Sequence, residues 1–189
     1  MSFKILIADD ESLIRTDLRE MLTGMGHKVV GDAEDGRRLL ELLEHSQPDV
    51  IILDIRMPNV DGIEIARLLA REIPIIMLTA HSSPDLIRAA RDAGVMSYLT
   101  KPFREQDIGP AIELAVTHFS RESQLHEKVE SLQEQLQARK LVDRAKSLLM
   151  AKEKLSEAEA FRRIQKISMD KNVALGKVAE LVIEVYSKK

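Results

Sequence analysis

Short apolar runs punctuate the first 120 residues at 4–8, 28–30, 49–54, 74–79 and 96–100. Each is too short and too uniformly apolar for a surface helix, and each reads as a strand buried on both faces. Between the runs, apolar residues recur at spacings of three and four. Leu13, Ile14, Leu18, Met21, Leu22 and Met25 form one such series, and Ile63, Ile65, Ala66 and Leu69 another, the mark of amphipathic helices. Five strands, each followed by a helix, predict an α/β domain with a five-stranded, parallel, doubly wound sheet. A ligand of such a sheet belongs at the carboxyl ends of its strands.

Residues 111–175 contain neither proline nor glycine, so a helix starting near Asp107, with Pro110 in its permissive first turn, has nothing local to stop it. Leu125, Val129, Leu132 and Leu136 follow a 4-3-4 spacing among Glu, Gln, Lys and Ser. So narrow a stripe suits a short coiled coil over 121–138, and self-association into a homodimer is the simplest way to cover it. Three helical patterns follow: 141–151, a second opening on the capping box of Ser156 and Glu159, and 174–185. Leu148, Leu149, Leu155, Ala160, Phe161, Ile164, Ile167, Val178, Leu181 and Val182 are expected to form the core of this small three-helix domain. The chain thus divides into 1–120, a linker helix over 121–138, and 139–189.

A composition of 44% hydrophobic and 31% charged residues excludes a wholly disordered chain. The absence of cysteine excludes disulfides, thiolate zinc sites and cysteine nucleophiles, and fits a reducing cytoplasm. Acidic residues end the first apolar run after five positions, so neither a signal peptide nor a membrane span is expected. The net charge of −3 hides an asymmetry: residues 1–120 hold 13 Lys and Arg against 20 Asp and Glu, whereas 121–189 hold 15 against 11. Within 139–177 the ratio is 11 to 5, enough to attract a polyanion. His27, His45, His81, His118 and His126 show no metal-ligand spacing, and Met21, Met25, Met77 and Met96 read as core filler. No glycine-rich nucleotide cradle and no hydrolase triad is present.

The chemistry collects at the predicted strand ends: Asp9 and Asp10 after the first, Asp54 after the third, Thr79 at the fourth and Lys101 after the fifth. Three crowded carboxylates must either hold a proton or recruit a cation, and hard oxygen ligands favour Mg²⁺. The Asp54 carboxylate could then attack phosphorus to give an aspartyl phosphate, with Lys101 neutralising one phosphoryl oxygen and the Thr79 hydroxyl supplying a further contact.

Asp9-Asp10, Asp54, Met57-Pro58, Asp61-Gly62, Thr79-Ala80, Tyr98 and Lys101-Pro102-Phe103 stand in an order and spacing that resemble the receiver domain of two-component response regulators. The resemblance implies a flavodoxin-like fold and Asp54 as phosphoacceptor, charged by a sensor histidine kinase or a small phosphodonor. It implies Mg²⁺ held by Asp10, Asp54 and the backbone carbonyl of Arg56, with Asp9 acting through water, and a cis peptide at Lys101-Pro102. It makes Thr79 and Tyr98 the switch pair, and Arg56 and His81 the tuners of hydrolysis. The protein is then a phosphoacceptor with slow self-dephosphorylation and not otherwise an enzyme.

In the remainder of the chain, Arg139, Lys140, Arg144, Lys146, Lys152, Arg162, Arg163 and Lys166 fall on the first two helical patterns, while the third carries Glu180 and Glu184. A helix-turn-helix reader would press those two carboxylates toward DNA phosphates, which disfavours DNA. The run 144–150, Ser156-Glu157, Ala160-Phe161, Ser168-Met169, Asn172 and Val178-Ala179 resemble the ANTAR family of RNA-binding antiterminator modules, with Ser147 where most relatives have glycine. That resemblance implies a dimer that binds RNA stem-loops, with Arg139, Lys140, Arg144, Lys146, Arg162, Arg163 and Lys166 as RNA contacts. Phe161 is expected in the core, leaving Tyr186 as the exposed aromatic, so recognition by charge and hydrogen bonding is expected over stacking. A DNA-binding response regulator and a protein-interaction output remain the alternatives.

Overall fold

Alternate residues of each apolar run face opposite ways, so a strand that is apolar throughout needs cover on both sides. The computed structural model, which describes residues 2–80 and 84–187, supplies it. The elements are β1 (Lys4–Ala8), α1 (Ser12–Gly24), β2 (Lys28–Ala33), α2 (Gly36–Leu43), β3 (Val50–Asp54), α3 (Gly62–Leu69), β4 (Ile75–Thr79), α4 (Pro84–Asp92), β5 (Ser97–Thr100), α5 (Glu105–Glu153), α6 (Glu157–Lys171) and α7 (Leu175–Ser187). The chain forms two compact units, Met1–Ser123 and Gln124–Lys189, whose boundary falls within α5.

In the first unit the five strands are parallel in the order β2-β1-β3-β4-β5. Ile5, Ile7, Val50, Ile52, Ile76 and Leu78 pack with Leu18 and Leu22 of α1 and Ile108, Ile112 and Ala115 of α5. Leu6, Ala8, Ile51, Leu53, Ile75 and Met77 pack on the other face with Leu39 of α2 and Ile65 and Ala66 of α3. Burying each of the larger side chains contributes about 2 kcal/mol. The β2 strand runs three residues past the 28–30 expected from its apolar run. The pairing register shifts between Ile5 and Leu6, and Gly31 admits the Leu6 side chain where a Cβ would sit 3.0 Å from it.

Two expectations about the helices need correction. The α5 helix begins at Glu105, because the Asp107 carboxylate accepts the Arg104 N–H at 3.0 Å and caps the helix ahead of the expected start. Pro110 therefore lies beyond the first turn; it is exposed, so water can serve the carbonyl its missing N–H leaves behind. Leu13, placed by its spacing on the buried stripe of α1, is exposed.

In the second unit Val142, Ala145 and Leu149 of α5 meet Ala160 and Ile164 of α6 and Val178 and Ala179 of α7. The first of the three expected helices is the end of α5. It stops where Lys154 turns to φ 56°, and Ser156 and Glu159 then form the capping box that opens α6. Asn172 closes α6 in the left-handed conformation, and Gly176 lets α7 approach Ala138, whose Cβ would lie 3.1 Å from an added one. Phe161 and Leu181, expected in the core, are 39% and 55% exposed. The core is built around Ala145, Ala160 and Ala179, and with so little bulk where the helices meet, these two larger neighbours lie at its edge.

Candidate functional site

The carboxyl ends of β1, β3 and β4 and the loop after β5 carry the residues expected to act together. Asp9 follows β1 and is fully buried, Asp54 ends β3 and is nearly so, and Asp10 is exposed. One oxygen from each of the three lies within 4.8 Å of the others. Lys101 Nζ reaches in to 2.7 Å from Asp9 Oδ2 and 3.4 Å from Asp54 Oδ2. The Lys101-Pro102 peptide is cis. Thr79 is buried at the end of β4, and its carbonyl accepts the Lys101 N–H at 2.8 Å. Tyr98 lies on β5 with its side chain exposed. Arg56 stands two residues past Asp54 in the bend after β3, and His81 lies outside the described residues.

The loop after β3 is fixed from several sides. Gly62 donates to the Ile55 carbonyl at 2.9 Å, the Asp61 carboxylate caps α3 through the Ile63 N–H at 2.7 Å, and Asn59, at φ 68°, donates to Asp35 at 2.8 Å. Burial raises the Asp54 carboxyl to about 6, a rise that Lys101 opposes and the Asp9 charge reinforces. Burial would lower Lys101, but its contact with Asp9 and the charges of Asp54 and Asp9 outweigh that, and its affinity for the proton rises.

Two neighbours had no signal in the sequence. Arg15 of α1 donates to the backbone carbonyls of Asp9 at 2.7 Å and Asp10 at 3.2 Å, and pairs with Asp32, which also holds Arg19. Glu11 Oε1 lies 3.4 Å from Lys101 Nζ. The pairs Arg15–Asp32 and Glu11–Lys101 join residues that only the fold brings together. The Lys101 ammonium is thus shared among Asp9, Asp54 and Glu11, and Asp9 Oδ2 is buried with the ion pair as its contact and no well-directed hydrogen bond. An all-oxygen, net-negative donor set of this kind fits a hard divalent cation.

Residues 5–113 match the response regulator receiver domain, and residues 130–183 match the ANTAR domain. The chain belongs to the response regulators that join these two domains. It is 49% identical over 183 residues to the transcriptional regulatory protein PdtaR of Mycobacterium tuberculosis, across 96% of this chain and 89% of that one. The receiver unit is similar to solved receivers. That of a modulated diguanylate cyclase from Desulfovibrio desulfuricans G20 matches with TM-score 0.59 and 27% identity over 65% of this chain and 99% of that one. The chemotaxis response regulator CheY4 of Vibrio cholerae matches with TM-score 0.55 and 30% identity over 60% and 98%.

In the ANTAR unit the seven expected contact residues divide. Arg139, Lys140, Arg144, Arg162 and Lys166 are exposed. Lys146 is instead held between Asp143 at 2.9 Å and Glu157 at 2.8 Å, tying α5 to the start of α6. Arg163 pairs with Glu153, which also accepts the Tyr186 hydroxyl, so one carboxylate joins α5, α6 and α7. Tyr186 packs half-buried against the core and is not the exposed aromatic that the sequence suggested; Phe161 is. Among the described residues no helix is long and apolar enough to cross a membrane.

Proposed function

We propose that this response regulator is phosphorylated on Asp54 by a sensor histidine kinase and, as a cytoplasmic homodimer, binds RNA stem-loops to prevent transcription termination. The reading rests above all on the charge of the ANTAR unit: exposed cations on α5 and α6, with Glu180 and Glu184 on α7. A partner rich in phosphate is favoured by the first two helices and repelled by the third. PdtaR, named a transcriptional regulatory protein, is consistent with an output in gene expression.

In the receiver, an Asp54 oxygen attacks the phosphorus of a phosphohistidine. The phosphorus–nitrogen bond breaks, its electron pair goes to the imidazole, which takes up a proton, and Asp54 becomes an acyl phosphate. Lys101 neutralises one of the transferred oxygens and the Thr79 hydroxyl donates to another. Asp10, Asp54 and the backbone carbonyl of Arg56, with Asp9 through water, would hold Mg²⁺, which when bound offsets the charge of the phosphoryl group. Asp54 is the phosphoacceptor and turns over only by its own slow hydrolysis. Leu125, Val129, Leu132 and Leu136, all 52–63% exposed, supply the seam of the dimer.

The test compares retention of hairpin RNA and duplex DNA by the full chain at matched salt, with and without Mg²⁺ and beryllium fluoride as the phosphate mimic. Tighter hairpin binding with the mimic, lost in Asp54→Asn, is expected. Preference for duplex DNA would replace RNA with DNA as the target, and no salt-dependent binding to either would make the output a protein contact.

A further inference from the structure

Phe161 projects from α6 beside a core already closed by Ala160 and Ile164, and 39% of it stays exposed. Exposed Gln165 and Met169 follow it at four-residue steps, so the three share one line along the helix. Exposed Arg162 and Lys166, also four apart, form the next line, about 100° further around the helix. Glu157, which Lys146 holds, precedes Phe161 on the same line, so α6 offers here an aromatic ring, an amide able both to donate and to accept and a polarisable thioether, with two cations on the next line around.

We infer that Phe161 stacks on an unpaired base in the loop of the RNA bound by this unit, with Gln165 one turn on at the edge of that base. The inference rests on the RNA-binding reading and adds how sequence is recognised to it. Charge selects the occupant. An apolar protein segment laid on Phe161 would leave the cations on its flank unneutralised, whereas a nucleotide brings a π face for the ring and a phosphate that can reach around to Arg162. Paired bases have both faces covered by their neighbours, so the ring selects looped-out bases over stems. The basic residues of α5 and α6 then hold the backbone without regard to sequence.

The experiment uses the full chain with beryllium fluoride and Mg²⁺. The probe is a hairpin RNA that the wild type recovers from a pool with randomised loops, carrying 2-aminopurine at each loop position in turn. Stacking on Phe161 is expected to quench the fluorescence at one position. Phe161→Leu, which keeps the apolar bulk against the core, should abolish that quench and weaken binding about 10- to 100-fold, with the dependence on NaCl unchanged. Phe161→Trp should restore both. Wild-type affinity in Phe161→Leu, or a quench that survives it, overturns the stacking role while leaving RNA binding intact. Failure of the wild type to recover any hairpin overturns the RNA-binding reading and this inference with it.

Discussion

A Cβ on Gly62 would lie 2.1 Å from the backbone carbonyl oxygen of Asp54. The first residue of α3 is thus pressed against the main chain of Asp54, and Gly62 also donates to the Ile55 carbonyl. Gly62→Ala is expected to cost about 3 kcal/mol or more, since backbone and not a flexible side chain must move. Gly24, at the end of α1 with nothing within 4 Å, provides the contrast: Gly24→Ala should be neutral or stabilise by up to about 1 kcal/mol. Urea unfolding midpoints of the two variants check both, and a Gly62→Ala midpoint equal to wild type would remove the steric role.

The raised Asp54 carboxyl has a pH signature. Its folded value of about 6 lies above the ordinary 3.8, so the folded chain binds the extra proton between those values. In the absence of divalent ions, the contribution of Asp54 to stability should fall as pH rises from about 4 through 6. Asp54→Asn removes the penalty and should be more stable than wild type at pH 8 by up to about 3 kcal/mol, a difference that closes below pH 4. Urea titrations across that range decide the matter; a difference independent of pH would exclude Asp54 as its source.

The division among the cations of the ANTAR unit sorts their variants. Arg144→Ala and Lys140→Ala should each lower the slope of log affinity for hairpin RNA against log salt by about 1. Lys146→Ala should leave that slope near wild type and lower the unfolding midpoint instead, because it removes the bridge from Asp143 to Glu157. Equal effects of all three on the slope would return Lys146 to the RNA contact surface.

Polarity placed on the α5 stripe tests the proposed dimer. With Mg²⁺ and beryllium fluoride present, the wild type should sediment as a dimer and Leu132→Lys as a monomer, since burying an ammonium at that seam costs its desolvation. A Leu132→Lys dimer would locate the interface elsewhere.

Sequence pattern carried the receiver almost whole, because burial on both faces leaves nothing polar inside a strand and sets Asp9, Asp54 and Thr79 at its end. The misplaced start of α5 has a local cause, a carboxylate at Asp107 reaching back to Arg104. The failure over Phe161 and Leu181 has a different one. Helical spacing identifies a stripe but does not rank its edges, and a core crossing at alanines puts the largest edge residues in water. The pairings of Arg15 with Asp32 and of Glu11 with Lys101 were illegible for a third reason, since these partners come together only through folding.

The meeting of Tyr186 with Glu153 bears on where the ANTAR unit ends. The matched stretch stops at residue 183, yet the last turn of α7 supplies the hydroxyl that, together with Arg163, satisfies the carboxylate closing α5. A fragment trimmed to the homology limits would keep the whole signature and forfeit a latch, so excised versions need their margin at this terminus.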